Sequence, residues 1–108
     1  MMAVFKKHAL DALVYPTAPR PAALIDGSSG IGGASSEAPS RIANHTGFPD
    51  LIVPAGMTKD GLPVTLSFFG PAFSEGKLLS YGYDFEQATA ARRLPKHTPA
   101  LASDTITY

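Results

Sequence analysis

The stretch Asp26-Gly27-Ser28-Ser29-Gly30-Ile31-Gly32-Gly33 has the makings of a reactive loop. Glycine-rich backbone can offer N–H groups to a phosphate or an oxyanion, and a serine can attack a carbonyl carbon. Its spacing does not fit the standard devices. A Walker loop needs a lysine after the last glycine, and Ala34-Ser35 stand there. A dinucleotide fingerprint needs a strand directly before it, and the nearest apolar run stops at Pro16. A nucleophile elbow needs Gly-x-Ser-x-Gly between a strand and a helix. The stretch reads as a surface loop.

The other reactive side chains are scattered. His8, His45 and His97 have no ligand-like spacing, so no metal site is expected. Asp60 belongs to an Asp-Gly turn, and Asp50 stands at the start of a strand. Lys6 and Lys7 could act as a base only if desolvated, and their surroundings read as exposed. Tyr81, Tyr83 and Phe85 read as helix packing. A hydrolase needs nucleophile, base and oxyanion donors within reach of one another, and these residues do not assemble that set. No catalytic residue, metal or cofactor is assigned.

The elements that would position a site are short. The chain has 108 residues, 44% hydrophobic and 17% charged, which is enough apolar surface for a folded segment of about one domain. Ten glycines and ten prolines predict many turns. Nine basic residues balance nine acidic ones, which gives no basic footprint for nucleic acid and no polybasic face for a membrane. No apolar run reaches the ~18 residues of a membrane span. Met1–Phe5 runs straight into Lys6-Lys7-His8 without the hydrophobic stretch of an export signal, so the expected location is cytoplasmic. Cysteine is absent, which excludes disulfides and thiolate chemistry.

Residues 2–10 read as the end of a helix, and 12–16 as an apolar strand stopped by Pro16. Residues 16–40 are a long Pro/Gly/Ser loop, and 41–46 a weak helix ended by Gly47-Phe48-Pro49. Residues 51–56 and 63–69 are predicted to pair as an antiparallel hairpin around Asp60-Gly61. In the second strand Val64, Leu66 and Phe68 share one face, and Thr65, Ser67 and Phe69 the other. A helix over 75–92 is predicted, with Ser74 as N-cap, a Leu78/Tyr81/Phe85 stripe on the sheet, and Arg92 and Arg93 in its last turn. Residues 96–108 read as a tail.

The order of these segments is informative. Asp11-Ala12-Leu13-Val14-Tyr15-Pro16-Thr17 is followed by Gly47-Phe48-Pro49-Asp50-Leu51-Ile52-Val53-Pro54-Ala55-Gly56. Then come Asp60-Gly61-Leu62-Pro63, Phe69-Gly70 and Phe73-Ser74-Glu75, leading to Glu86-Gln87. Over residues 10–99 this resembles the C-terminal portion of the amidase signature family. The resemblance implies an α/β fold: part of a mixed β-sheet with flanking helices, forming the C-terminal segment of the amidase signature fold.

The resemblance also implies an amide C–N bond hydrolase whose Lys–Ser–Ser triad and Gly/Ser signature lie upstream of the matched part. Ser28 and Ser29 fall in the family's variable loop, so no catalytic role is carried onto them. Residues that resemble walls of the family's substrate cleft are Thr17, Phe48, Ile52 and Val53, which serve equally well as core. The expected partner is a small-molecule amide, bound only in the full-length context, and no cofactor is implied. In a complete enzyme the strand at 12–16 would be buried between neighbours. With its upstream neighbour absent, self-association through an exposed sheet edge is expected. Two other readings stay open: a non-catalytic interaction module, and a small autonomous amidase using Ser28 or Ser29.

Overall fold

The computed structural model describes residues 1–20, 22, 25, 26 and 41–94. In chain order these form α1 (Met2–His8), β1 (Leu13–Pro16), α2 (Arg41–Thr46), β2 (Asp50–Met57), β3 (Pro63–Phe69) and α3 (Glu75–Thr89). The glycine-rich stretch from Gly27 to Gly33, the rest of the predicted loop up to Ser40, and the predicted tail at 96–108 lie outside the described residues.

The three strands form one sheet in the order β1-β3-β2, with both outer strands antiparallel to β3. β1 and β2 therefore run parallel to each other on either side of it. The predicted β2–β3 hairpin is present. Its turn is closed by Thr58 N–H donating to the Leu62 carbonyl (2.8 Å) and Gly61 N–H to the Thr58 carbonyl (3.0 Å). Gly61 has φ 81°, a conformation that costs glycine nothing, which is why Asp60-Gly61 turns here. A register shift between Pro54 and Gly56 bends β2 before the turn.

Two prolines inside strands are explained by the register. Gly70 N–H donates to the Pro49 carbonyl (3.0 Å) and Thr17 N–H to the Thr65 carbonyl (3.1 Å). Antiparallel hydrogen bonding alternates along a strand. Pro16, paired with Leu66, and Pro54, paired with Thr65, therefore both turn their backbone nitrogens away from β3. Neither removes a ladder bond, as edge prolines must not.

α3 covers one face of the sheet. Leu78, Val53 and Phe68 are buried there, and Leu51, Leu66, Tyr81 and Phe85 pack around them. Phe68 and Phe85 meet edge to face with ring centres 6.0 Å apart. The predicted stripe and the assignment of Leu66 and Phe68 to the helix side both hold. Gly82 is buried against β2: a side chain there would overlap a Leu51 methyl. On the opposite face Phe69 packs between Phe5 of α1 (5.9 Å) and Phe48 (6.0 Å, stacked). One exposed ion pair, Lys77 Nζ to Asp11 Oδ1 at 2.6 Å, ties α3 to the α1–β1 connection.

Two expectations are corrected. α3 ends at Thr89, because Ala90 adopts a left-handed conformation (φ 44°) and donates its N–H back to Glu86. Arg92 and Arg93 therefore lie beyond the helix, and the Arg93 guanidinium reaches back to donate to the carbonyl of the C-cap residue Ala90. Ser74 precedes α3 without capping it by its side chain; its hydroxyl donates instead to the Pro71 carbonyl (2.7 Å). β1, expected to have an exposed edge in this chain, has one neighbour among the described residues, and Val14 is 55% exposed.

Candidate substrate-facing site

The face of the sheet opposite α3 carries the polar chemistry of the chain. Leu13, Phe69 and Asp50 stand opposite one another across the three strands, followed by the row Tyr15, Ser67 and Ile52. Thr17 and Thr65 come next. The Phe69 end of this face is closed by Phe5 and Phe48. Beyond it, side-chain hydroxyls and one carboxylate replace hydrocarbon.

The hydroxyls are paired across strands. Tyr15 donates its phenol O–H to Asp50 Oδ2 at 2.8 Å, which links β1 to β2 over the top of β3. Thr17 Oγ1 and Ser67 Oγ share a hydrogen bond of 2.9 Å. Ser67 is fully buried, so this partner matters: an unpaired buried hydroxyl would carry its whole desolvation cost. Burial of the phenol, with the Asp50 carboxylate beside it, pushes the Tyr15 pKa up to about 12. Tyr15 is therefore a neutral hydrogen-bond donor throughout the physiological range. Asp50 Oδ1 is buried and has no hydrogen-bond partner, so the carboxylate keeps accepting capacity unused.

Of the four residues singled out from the sequence, the structure brings Thr17 and Ile52 onto this one face. Ile52 is 49% exposed beside Ser67 and stands as apolar wall. Phe48 lies on the same side but at the far end, half-buried against Phe69. Val53 points the other way and is buried beneath α3. Beyond Thr17 an open recess of about 230 Å³ is lined by Pro16, Pro19, Arg20, Thr58 and Thr65, among others.

Sequence reasoning missed Tyr15, Asp50 and Ser67. Tyr15 reads as one more strand hydrophobe and Asp50 as a strand start. The available signal was their parity: position 15 has the same parity as 17, and 50 as 52, so each pair shares a strand face. The remaining candidates stay apart. Among the described residues no group of three or more His, Asp or Glu could hold a metal ion. His8, His45, Lys6 and Lys7 are exposed, and Ser28, Ser29 and His97 lie outside the described residues. No helix among the described residues is long and apolar enough to cross a membrane.

The profile of the family described as Amidase matches residues 1–79. The chain belongs to the amidase family. The A subunit of glutamyl-tRNA(Gln) amidotransferase from Desulforudis audaxviator is 40% identical to it over 99 residues, covering 82% of this chain and 18% of that protein. The indoleacetamide hydrolase of Agrobacterium vitis is 35% identical, covering 84% of this chain and 21% of its own length. The solved native peptide amidase of Stenotrophomonas maltophilia superposes with a TM-score of 0.69 at 41% identity, covering 87% of this chain and 18% of that one. The peptide amidase PAM in complex with the competitive inhibitor chymostatin gives 0.71 at 40% identity, covering 90% and 19%. The α/β arrangement described above is thus a segment of the amidase fold. This amidase-family chain spans roughly a fifth of the length of these relatives.

Proposed function

We propose that this chain is the C-terminal part of an amide C–N bond hydrolase, supplying cleft wall and core packing to catalytic groups that lie outside it. The observation that carries the reading is the likeness to peptide amidases at about 40% identity, with a matching backbone, over nearly the whole described chain. The substrate is a small amide; hydrolysis adds one water across its C–N bond to give an acid and an amine. Thr17 offers a hydroxyl to that amide, and Ile52 an apolar surface beside it. Phe48 and Val53 act behind them, one holding Phe69 and the other holding α3. The Tyr15–Asp50 and Thr17–Ser67 bonds fix the floor on which Thr17 stands.

The reading requires that the chain by itself turn over no amide, because its described residues contain no nucleophile held by a base. Ammonia release from simple aryl and aliphatic amides tests this, with no saturable rate expected. A saturable rate that disappears in Ser29→Ala would overturn the reading in favour of an autonomous enzyme. A cytoplasmic location belongs to the same proposal. Cell fractionation reads it directly.

A further inference from the structure

The open recess beyond Thr17 lies at one particular end of the sheet. β1 and β2 run parallel and finish together, at Pro16 and Met57, and the recess of about 230 Å³ begins where they stop. Open α/β sheets take their ligands outside the carboxyl ends of parallel strands. The lining is stiff. Thr17 N–H donates to the Thr65 carbonyl (3.1 Å), which pins the chain as it leaves β1. Pro19 then fixes its own φ and biases Ala18 towards extended backbone, so Arg20 is delivered on a short, restricted arm. Thr58 is locked into the β2–β3 turn by two backbone bonds, and Pro63 opens β3.

The chemistry of this lining is one-sided. Arg20 brings a guanidinium with a fixed fork of N–H donors. Thr58 Oγ1 already accepts the Leu62 N–H (3.1 Å), which leaves its own proton to give. Thr65 adds a second hydroxyl. Among the described residues no Asp or Glu lines the recess, and Lys59 and Asp60 on the adjoining turn balance in charge. Arg20 therefore sets its sign.

We infer that this recess takes a carboxylate carried by the substrate itself, a few bonds from the amide that is cut. Arg20 grips it through charge-assisted, bidentate N–H···O bonds, and the Thr58 hydroxyl donates a third. The three residues from Thr17 to Arg20 span at most ~10 Å, so one small molecule can meet the Thr17 hydroxyl at its amide and Arg20 at its carboxylate. A recess of about 230 Å³ suits a short acidic arm rather than a whole ligand, for which ~300 Å³ or more is usual. The preferred substrate is thus the monoamide of a short dicarboxylic acid with its other carboxyl ionised. An amide with a neutral or cationic arm is disfavoured. The inference rests on the amidase reading for its amide and on Arg20 for its charge.

Succinamate and butanamide are amides of the same chain length that differ in whether the far end is a carboxylate or a methyl group. Titrated at millimolar concentration into the isotope-labelled chain, succinamate is expected to shift the NMR signals of the Thr58 and Thr65 amides and of the Arg20 Nε–H. Butanamide is expected to move none of them. The shifts should fade as salt is added and disappear in Arg20→Gln. Turnover is read in a chimera of Stenotrophomonas maltophilia peptide amidase that carries this chain in place of its matching fifth. There KM for succinamate should lie ~tenfold below that for butanamide at similar kcat, because the contact is made to a group remote from the reacting carbonyl. Arg20→Gln should raise the succinamate KM to the butanamide value, and Arg20→Lys should lose part of the advantage with the fork. Lys59→Gln, which removes a positive charge outside the lining, should leave it within twofold. Arg20 is exposed, so none of these changes opens the core. Thr58 and Thr65 signals that ignore succinamate overturn the inference whatever the chimera does. A chimera that hydrolyses both amides at equal KM also overturns it, and leaves the amidase reading standing.

Discussion

Thr17 and Ser67, fifty residues apart in sequence, share a 2.9 Å hydrogen bond between their side-chain hydroxyls. The bond fastens the end of β1 to the central strand at the place where the chain leaves the sheet. It also satisfies Ser67, which no solvent reaches. Ser67→Ala is expected to cost about 0.5–1.5 kcal/mol, the usual net worth of such a bond. Combined with Thr17→Val the loss should be less than the sum of the two single changes, because the second change then removes no interaction. Urea unfolding of the four proteins of this cycle checks the coupling, and strict additivity would show that the hydroxyls do not interact.

Tyr15 makes stability depend on pH at the alkaline end. Its phenol is held neutral in the folded chain up to about pH 12, whereas an unfolded tyrosine ionises near 10. The folded pKa is the raised one, so the contribution is complete below pH 10 and is lost as pH rises from 10 towards 12. Denaturant midpoints measured at pH 8 to 12 should fall across that window. Tyr15→Phe should flatten the fall and remove the highest-pH step from the ultraviolet phenolate titration. An unchanged titration in Tyr15→Phe would refute the assignment.

Two glycines of α3 should respond oppositely. Gly76 has open space around it, so Gly76→Ala should stabilise by up to about 1 kcal/mol through helix propensity. Gly82 lies where any side chain meets Leu51 and Val53, and Gly82→Leu should destabilise by about 1–3 kcal/mol through overpacking. Thermal melts of the two variants against the parent decide it. Equal effects would mean that α3 does not approach β2 as closely as described.

In isolation the chain should not behave as a closed domain. β1 and β2 each have one neighbour among the described residues, and Val14, Ile52, Leu79 and Tyr83 are all about half exposed or more. Unpaired strand edges beside apolar surface favour association. Sedimentation at micromolar concentrations is expected to show self-association, or melting that depends on concentration. A monodisperse monomer with a sharp, concentration-independent melt above ~60 °C, high for an ordinary domain, would contradict this.

Much of the architecture was legible because the local signals were strong. Leu13–Tyr15 before Pro16, the Asp60-Gly61 turn and the Leu78/Tyr81/Phe85 stripe each state one structure and the fold agrees with them. The end of α3 was not legible. Ala90 is an excellent helix former, and nothing in its residue type announces the left-handed conformation it adopts. The capping role expected of Ser74 fails for a related reason: its hydroxyl has a second acceptor, Pro71, within one turn of chain. The polar face was half legible. Thr17 and Ile52 emerged from the family pattern. The Tyr15–Asp50 bond joins strands separated by 35 positions and needed the sheet order to be seen. The family pattern offers Ile52 and Val53 alike as apolar wall; adjacent strand residues point to opposite faces, so Val53 packs beneath α3 while Ile52 shares the face of Thr17.

The central claim is that this chain does the work of the matching fifth of an amidase. It is tested most directly by a chimera of the Stenotrophomonas maltophilia peptide amidase in which that fifth is replaced by this chain. The account predicts a folded protein that hydrolyses peptide amides, and a Thr17→Val version whose KM for the amide rises severalfold while its melting temperature stays within a few degrees. A chimera that folds and melts cooperatively but releases no ammonia from any peptide amide would contradict the account.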